Sequence, residues 1–166
     1  MSEDSKEPAD PGSVASHCSS VKLVFLDVDG VLVNRRSLMV RSGLNAKADP
    51  PCVAALNRVI AETGAKIVVS STWRMAGDSR IKRHLKSWGV MGRVVGCTPV
   101  MRHLNRGGEI QAFMDAWSSP KQIGAIVIID DDRDMDHLSD RLVRTEFEVG
   151  FTEADADRAI AMLGRY

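Results

Sequence analysis

The stretch VKLVFLDVDG at 21–30 sets a continuous apolar run directly against two carboxylates and a glycine. An amphipathic helix would space its apolar residues at intervals of three and four. An unbroken run suits a strand buried on both faces, the situation of parallel sheets sandwiched between helices. Its abrupt end marks the edge where the strand gives way to a loop. The pattern recurs at KIVVS (66–70), which runs into Ser71, Thr72, Trp73 and Arg74, and at IGAIVII (123–129), which runs into Asp130, Asp131 and Asp132. RVVGC (93–97) is a further candidate strand.

Helical signals fall between these runs. Asp49 is a suitable N-cap for a helix opening on Pro50 and Pro51, carrying Val53, Leu56, Val59 and Ile60 on one face, and stopped by Gly64. A second helix carries Ile81, Leu85 and Trp88 and ends at Gly89. A third, from Gly107 to Trp117, has Ile110, Phe113, Met114 and Trp117 at helical spacing. Thr152 caps a last helix through Glu153, Ala156, Ile160 and Leu163. The segment 31–49 shows no sustained period and carries Arg35, Arg36, Arg41 and Lys47, so it reads as a long excursion beside the first strand's carboxyl end.

Strands alternating with helices predict an α/β fold, a single doubly wound, Rossmann-like parallel sheet with helices on both faces. In such sheets ligands sit beyond the carboxyl ends of the strands. The three polar clusters, Asp27 with Asp29, Ser70 to Arg74, and Asp130 to Asp132, are thereby expected to share one crevice.

The chain has 166 residues, enough for one well-built core and too few for two, so residues 21–166 are read as one domain. Residues 1–20 are rich in serine, proline and acidic residues and read as a disordered tail. Lysine plus arginine equals aspartate plus glutamate at 22 each, which removes any bulk electrostatic pull toward nucleic acid while allowing a local basic rim. Cys18, Cys52 and Cys97 form no CxxC pair, arguing against a disulfide framework or zinc knuckle. No run is long enough for a membrane span and the first residues lack a signal-peptide block, so a soluble, cytoplasmic protein is expected.

A lone aspartate after a strand is usually a turn former. In DVDG, two carboxylates one residue apart project from the same side, while Gly30 permits a sharp turn. Such carboxylates, with a second acidic cluster nearby, repel one another unless a cation compensates. Oxygen donors without a nearby histidine and cysteine set point to Mg2+ rather than zinc.

DVDGV at 27–31 resembles the first motif, DxDGT/V, of the haloacid dehalogenase (HAD) superfamily, and the strand ending in Ser70 resembles its second. IVIIDDD at 126–132 resembles the fourth. SSTWR, RGGEI, DDDRDM and LVRT (142–145) also resemble the HAD domains of multi-enzyme RNA-repair proteins. The resemblance implies a phosphatase with Asp27 as nucleophile, Asp29 as general acid and base, and Ser70 as a phosphoryl hydrogen-bond donor, with Ser71 and Thr72 as substitutes. It implies metal ligation by Asp27, the Asp29 carbonyl and Asp131, with Asp130 or Asp132 able to exchange roles in that register. The family's third-motif cation falls on Arg106 or, alternatively, Lys121. The chain departs from the general pattern in Val31 and in offering an arginine for the third-motif lysine.

The chain has no room for the inserted cap domain that closes over small metabolites in many such enzymes. The expected substrate is therefore a phosphomonoester at an open crevice, with the phosphorylated end of a polynucleotide as one candidate. Arg35, Arg36, Arg41 and Arg74 would contact neighbouring phosphates and Trp73 would stack on a base. In the opposing reading Trp73 packs beneath the loop and Arg74 pairs with an aspartate. The alternative functions are a phosphatase for nucleotides or sugar phosphates and a non-catalytic phosphate-binding module.

Overall fold

A computed structural model describes residues 20–40, 46–117 and 122–164. Residues 1–19, which make up all but the last position of the expected tail and include Cys18, lie outside the described residues, as do Arg41 and Lys121. Five strands, β1 (Val21–Leu26), β2 (Lys66–Val69), β3 (Val94–Cys97), β4 (Ile123–Asp130) and β5 (Leu142–Arg144), form one sheet in the order β3-β2-β1-β4-β5. Every pairing is parallel. The helices are α1 (Arg35–Val40), α2 (Pro50–Thr63), α3 (Asp78–Ser87), α4 (Arg106–Asp115) and α5 (Glu153–Leu163). Short 3-10 turns lie at Thr72–Ala76 and Asp136–Arg141.

The chain steps outward from β1 through β2 to β3 and then returns to the other side of β1 for β4 and β5. This reversal places the sheet's switch point between β1 and β4, where a crevice opens at the carboxyl ends.

Side-chain parity divides the core into two layers. Val24, Leu26, Ile67, Val69, Val127 and Ile129 pack with residues of α2, α3 and α5, among them Leu56, Leu85 and Ile160. The intervening Leu23, Phe25, Val68, Ile126 and Ile128 pack on the other face with Ile110 of α4 and with Leu138. Phe25 meets Phe113 of α4 edge to face, with ring centroids 5.8 Å apart. Both faces of the central strands are thus covered, as their unbroken apolar runs require.

The helix limits follow local chemistry. α2 opens on Pro50 and ends at Gly64, whose left-handed φ of 65° only glycine adopts freely. α5 opens with a capping box between Thr152 and Asp155, and the Asn105 side chain accepts from Gly108 N–H to cap α4. No helix among the described residues is long and apolar enough to cross a membrane.

Two features differ from the expectation. The described residues 31–40 include the short α1 and are anchored through Val31, Leu32 and Val33, all buried, so this part of the expected excursion is regular structure rather than loop. β5 has three residues, too few to show a period, and exists because β4 offers an edge to pair with.

Gly107 fixes how closely α4 approaches the loop after β4. A Cβ there would lie 2.3 Å from the Met135 carbonyl oxygen, whereas one on Gly108 would meet only the Leu104 side chain, at 3.0 Å. We expect Gly107→Ala to lower stability by about 1–3 kcal/mol or more through overpacking against backbone. Gly108→Ala, relieved by the movable leucine and favoured by helix propensity, should change stability by under about 1 kcal/mol. Urea denaturation of the two variants checks the contrast.

Candidate active site

Register and parity bring the polar clusters together. Leu26 is aligned with Val69 of β2 and with Ile129 of β4, so the next residues, Asp27, Ser70 and Asp130, stand side by side across three strands. The Asp27 amide donates to the Ile129 carbonyl at 3.0 Å, and the Ser70 amide donates to the Leu26 carbonyl at 2.9 Å. Following the alternation of the strands, all three side chains project on the α4 face. α4 opens there with Arg106.

Asp27, Asp130 and Asp131 each offer a carboxylate oxygen within 4.8 Å of the others. Asp131 can come this near because Gly30 has no side chain: a Cβ on Gly30 would lie 2.3 Å from the Asp131 Cγ. With φ +74°, Gly30 also needs the backbone freedom of glycine. Thr145 Oγ1 donates to the Gly30 carbonyl at 2.8 Å and steadies the turn from beyond β5.

Arg106 supplies the facing cation. Its Nε lies 3.6 Å from Asp130 Oδ2, and its backbone N–H donates to Asp134 at 3.2 Å. Burial pushes the Asp27 carboxyl above the usual range, against the pull of Arg106, a hydrogen bond with Ser71 and one with the Val28 backbone. Asp130 is pushed up to about 7, first by burial and then by the charge of Asp27, with Arg106 opposing. Asp131 is also raised by burial and by its neighbour Asp132.

Four buried polar atoms find no hydrogen-bond partner among the described residues: Ser70 Oγ, Thr98 Oγ1, Arg106 Nη1 and Asp130 Oδ2, the last facing Arg106 only as an ion pair. Unpaired buried donors and acceptors are costly, and here they gather at one sheet edge with elevated carboxyl pKa values, the signature of a site built for a ligand. Oxygen-only donors and a carboxylate oxygen without a hydrogen-bond partner fit a hard divalent cation, which Asp27, Asp130 and Asp131 could hold. Asp132 is exposed and turns only its amide inward, donating to Asp130 Oδ1 at 3.0 Å, which separates it from the other two aspartates.

The remaining candidates are distributed unevenly. The exposed Asp29 carboxylate stands apart from the three-carboxylate group and accepts from Trp73 Nε1 at 2.9 Å. Ser71 is fully buried, caps the following turn by accepting from Trp73 N–H, and approaches Asp27. Thr72 is exposed beside it. Arg35 pairs with Glu148 at 3.0 Å, and Arg36 pairs with Asp49 at 2.7 Å, so each already has a carboxylate partner.

Arg74 turns inward. Its guanidinium donates to the carbonyls of Ser70 (2.6 Å), Ser71 (2.7 Å) and Thr98 (3.1 Å) and pairs with Glu109 of α4. Its carboxylate partner is therefore Glu109, not one of the aspartates. The arginine ties the ends of β2 and β3 to α4 and so holds the Ser70 and Arg106 regions in register. Glu109 and Thr98 were not singled out as site residues in the sequence. Glu109 lies within RGGEI at 106–110, and Thr98 follows β3 as Ser70 follows β2, so the position directly after each strand is the signal that marks it.

A parallel α/β sheet with this carboxylate edge and an arginine-headed helix is compatible with a domain of the HAD type. The family described as "HAD domain in Swiss Army Knife RNA repair proteins" matches residues 23–156, and the chain belongs to it. Searches of curated proteins and of solved structures each found no match.

Removing Arg74 would strand Glu109 as an unpaired buried charge. We expect Arg74→Ala to cost about 3–5 kcal/mol, and the double Arg74→Ala/Glu109→Ala variant to cost less than the two single changes summed, in a double-mutant cycle of unfolding free energies. A second expectation concerns pH. Asp130 holds its proton more tightly folded than unfolded, so its contribution to stability is full below about pH 4, is lost as pH rises through about 7, and reverses the usual carboxylate trend. The metal-free protein should melt at a lower temperature at pH 8 than at pH 6, and Asp130→Asn should flatten that slope in thermal scans.

Proposed function

We propose that this protein hydrolyses phosphomonoesters with Mg2+ as cofactor, through an aspartyl-phosphate intermediate on Asp27. The observation that carries this reading is the juxtaposition of Asp27, Asp130 and Asp131 with Arg106 at the switch point of the sheet. Family membership supports a phosphohydrolase role.

In the first half-reaction an Asp27 carboxylate oxygen attacks phosphorus, the bond from phosphorus to the ester oxygen breaks, and Asp29 gives that oxygen its proton. In the second, Asp29 takes a proton from water as the water oxygen attacks phosphorus, releasing inorganic phosphate and restoring the Asp27 carboxylate. Trp73, donating to Asp29, orients the acid and base. Ser70 Oγ and Arg106 Nη1, both without a hydrogen-bond partner among the described residues, serve as donors to the phosphoryl oxygens. A magnesium ion held by Asp27, Asp130 and Asp131 would offset the clustered negative charge and that of the phosphoryl group.

The substrate we favour is the phosphorylated end of a polynucleotide, supported by the family's RNA-repair setting and by an open crevice with little sequence available for a cap. We further propose that residues 21–166 act as one domain.

Asp27→Asn should abolish turnover of an aryl phosphate with the fold intact by circular dichroism, and Asp29→Asn should slow it by roughly two to four orders of magnitude. Activity should vanish in chelator and return with magnesium but not calcium, whose longer, looser coordination misplaces the phosphoryl group. Full turnover in chelator, or by Asp27→Asn, would refute the assignment.

A further inference from the structure

A cavity of about 740 Å³ adjoins the carboxylate edge and is lined by Thr72, Trp73, Met75, Ala76, Arg80, Arg83 and His84. Trp73 joins the two: its indole N–H holds the Asp29 carboxylate at 2.9 Å while its ring forms part of the cavity wall. The ring is set edge-on against His84, with centroids 5.6 Å apart, and against Trp88 at 5.4 Å, so the aromatic wall is rigid. Met75 lies beside it, 71% exposed, a large apolar side chain that the described residues leave uncovered.

Arg80 and Arg83 at this cavity have no carboxylate partner among the described residues, unlike Arg35, Arg36 and Arg74, and share that state with Arg93, Arg102, Arg133 and Arg144, none of which lines the cavity. Arg80 and Arg83 stand one turn apart on α3, within the run RIKRHLK at 80–86, which holds four lysines and arginines and no acid in a chain whose total charge is balanced. Two unpaired guanidiniums beside a rigid aromatic wall match the alternation of phosphate and planar base along a single nucleic-acid strand. An isolated phosphate would leave the aromatic wall uncovered.

We infer that this cavity is the subsite for the nucleotides next to the terminal phosphate of a single-stranded polynucleotide, with Arg80 and Arg83 on backbone phosphates and Trp73 and Met75 against a base. The inference rests on the phosphomonoesterase reading above and names where its substrate lies. It replaces Arg35, Arg36 and Arg74 as phosphate contacts with residues that have no competing carboxylate among the described residues.

The test measures binding separately from turnover. A fluorescent, terminally phosphorylated single-stranded oligonucleotide is titrated by anisotropy into an Asp27→Asn protein, which keeps the surface and does not consume the ligand. Adding Arg80→Ala/Arg83→Ala should weaken binding about tenfold or more and lower the slope of log K against log salt by about 1.4, at about 0.7 per lost single-strand phosphate contact. Arg93→Ala, an exposed cation preceding β3 at the opposite edge of the sheet, should change neither. Retained affinity and slope in the Arg80/Arg83 variant, no measurable binding by the starting protein, or equal displacement by poly-glutamate would each overturn the inference. Aryl phosphate turnover by the unaltered protein reports on the catalytic reading alone, so the two can fail independently.

Discussion

Three carboxylates held within 4.8 Å of one another are the constraint around which this structure is organised. Buried like charges repel strongly, and proteins tolerate them only where a proton, a facing cation or a ligand compensates. Here the compensation comes from Arg106 and from raised carboxyl pKa values, with Asp130 at about 7. The fold holds these groups together with the apolar sheet beneath them: Leu26, Val69 and Ile129, all buried, fix the register from which Asp27, Ser70 and Asp130 emerge. The energy for keeping an unfavourable cluster in place is supplied by a core that has nothing to do with its chemistry.

The surrounding residues act mostly by position. Gly30 makes space for Asp131, Gly107 lets α4 close on the Met135 backbone, and the buried Arg74 to Glu109 pair links two strand ends to the helix that carries Arg106. None of these would touch a substrate. Each narrows the freedom of a group that would, which is how a site on short loops reaches the accuracy that phosphoryl transfer demands.

Charge pairing separates residues with free chemistry from those already engaged. Arg35, Arg36 and Arg74, attractive as phosphate contacts in a linear reading, are each matched with a carboxylate, while Arg80 and Arg83 have none among the described residues. Pairing of this kind joins residues 113 apart, as between Arg35 and Glu148, and local sequence carries no sign of it.

The parallel sheet, its central strands, the helix limits at Pro50 and Gly64, and the edge bearing Asp27, Ser70 and Asp130 were all legible in the sequence, because burial on two faces demands unbroken apolar runs and because turns need particular residues. β5, with three residues, and α1, with no buried side chain, left no periodic trace and formed because neighbouring elements offered an edge and an anchor. Tertiary structure alone separated Asp131 from Asp132, turned Arg74 inward to Glu109, and set Arg80 and Arg83 beside Trp73 with no carboxylate partner among the described residues. The reason is physical: the sequence determines which residues must be buried and which can turn the chain. The partner each charge finds depends on strands and helices far apart in the chain meeting at one edge.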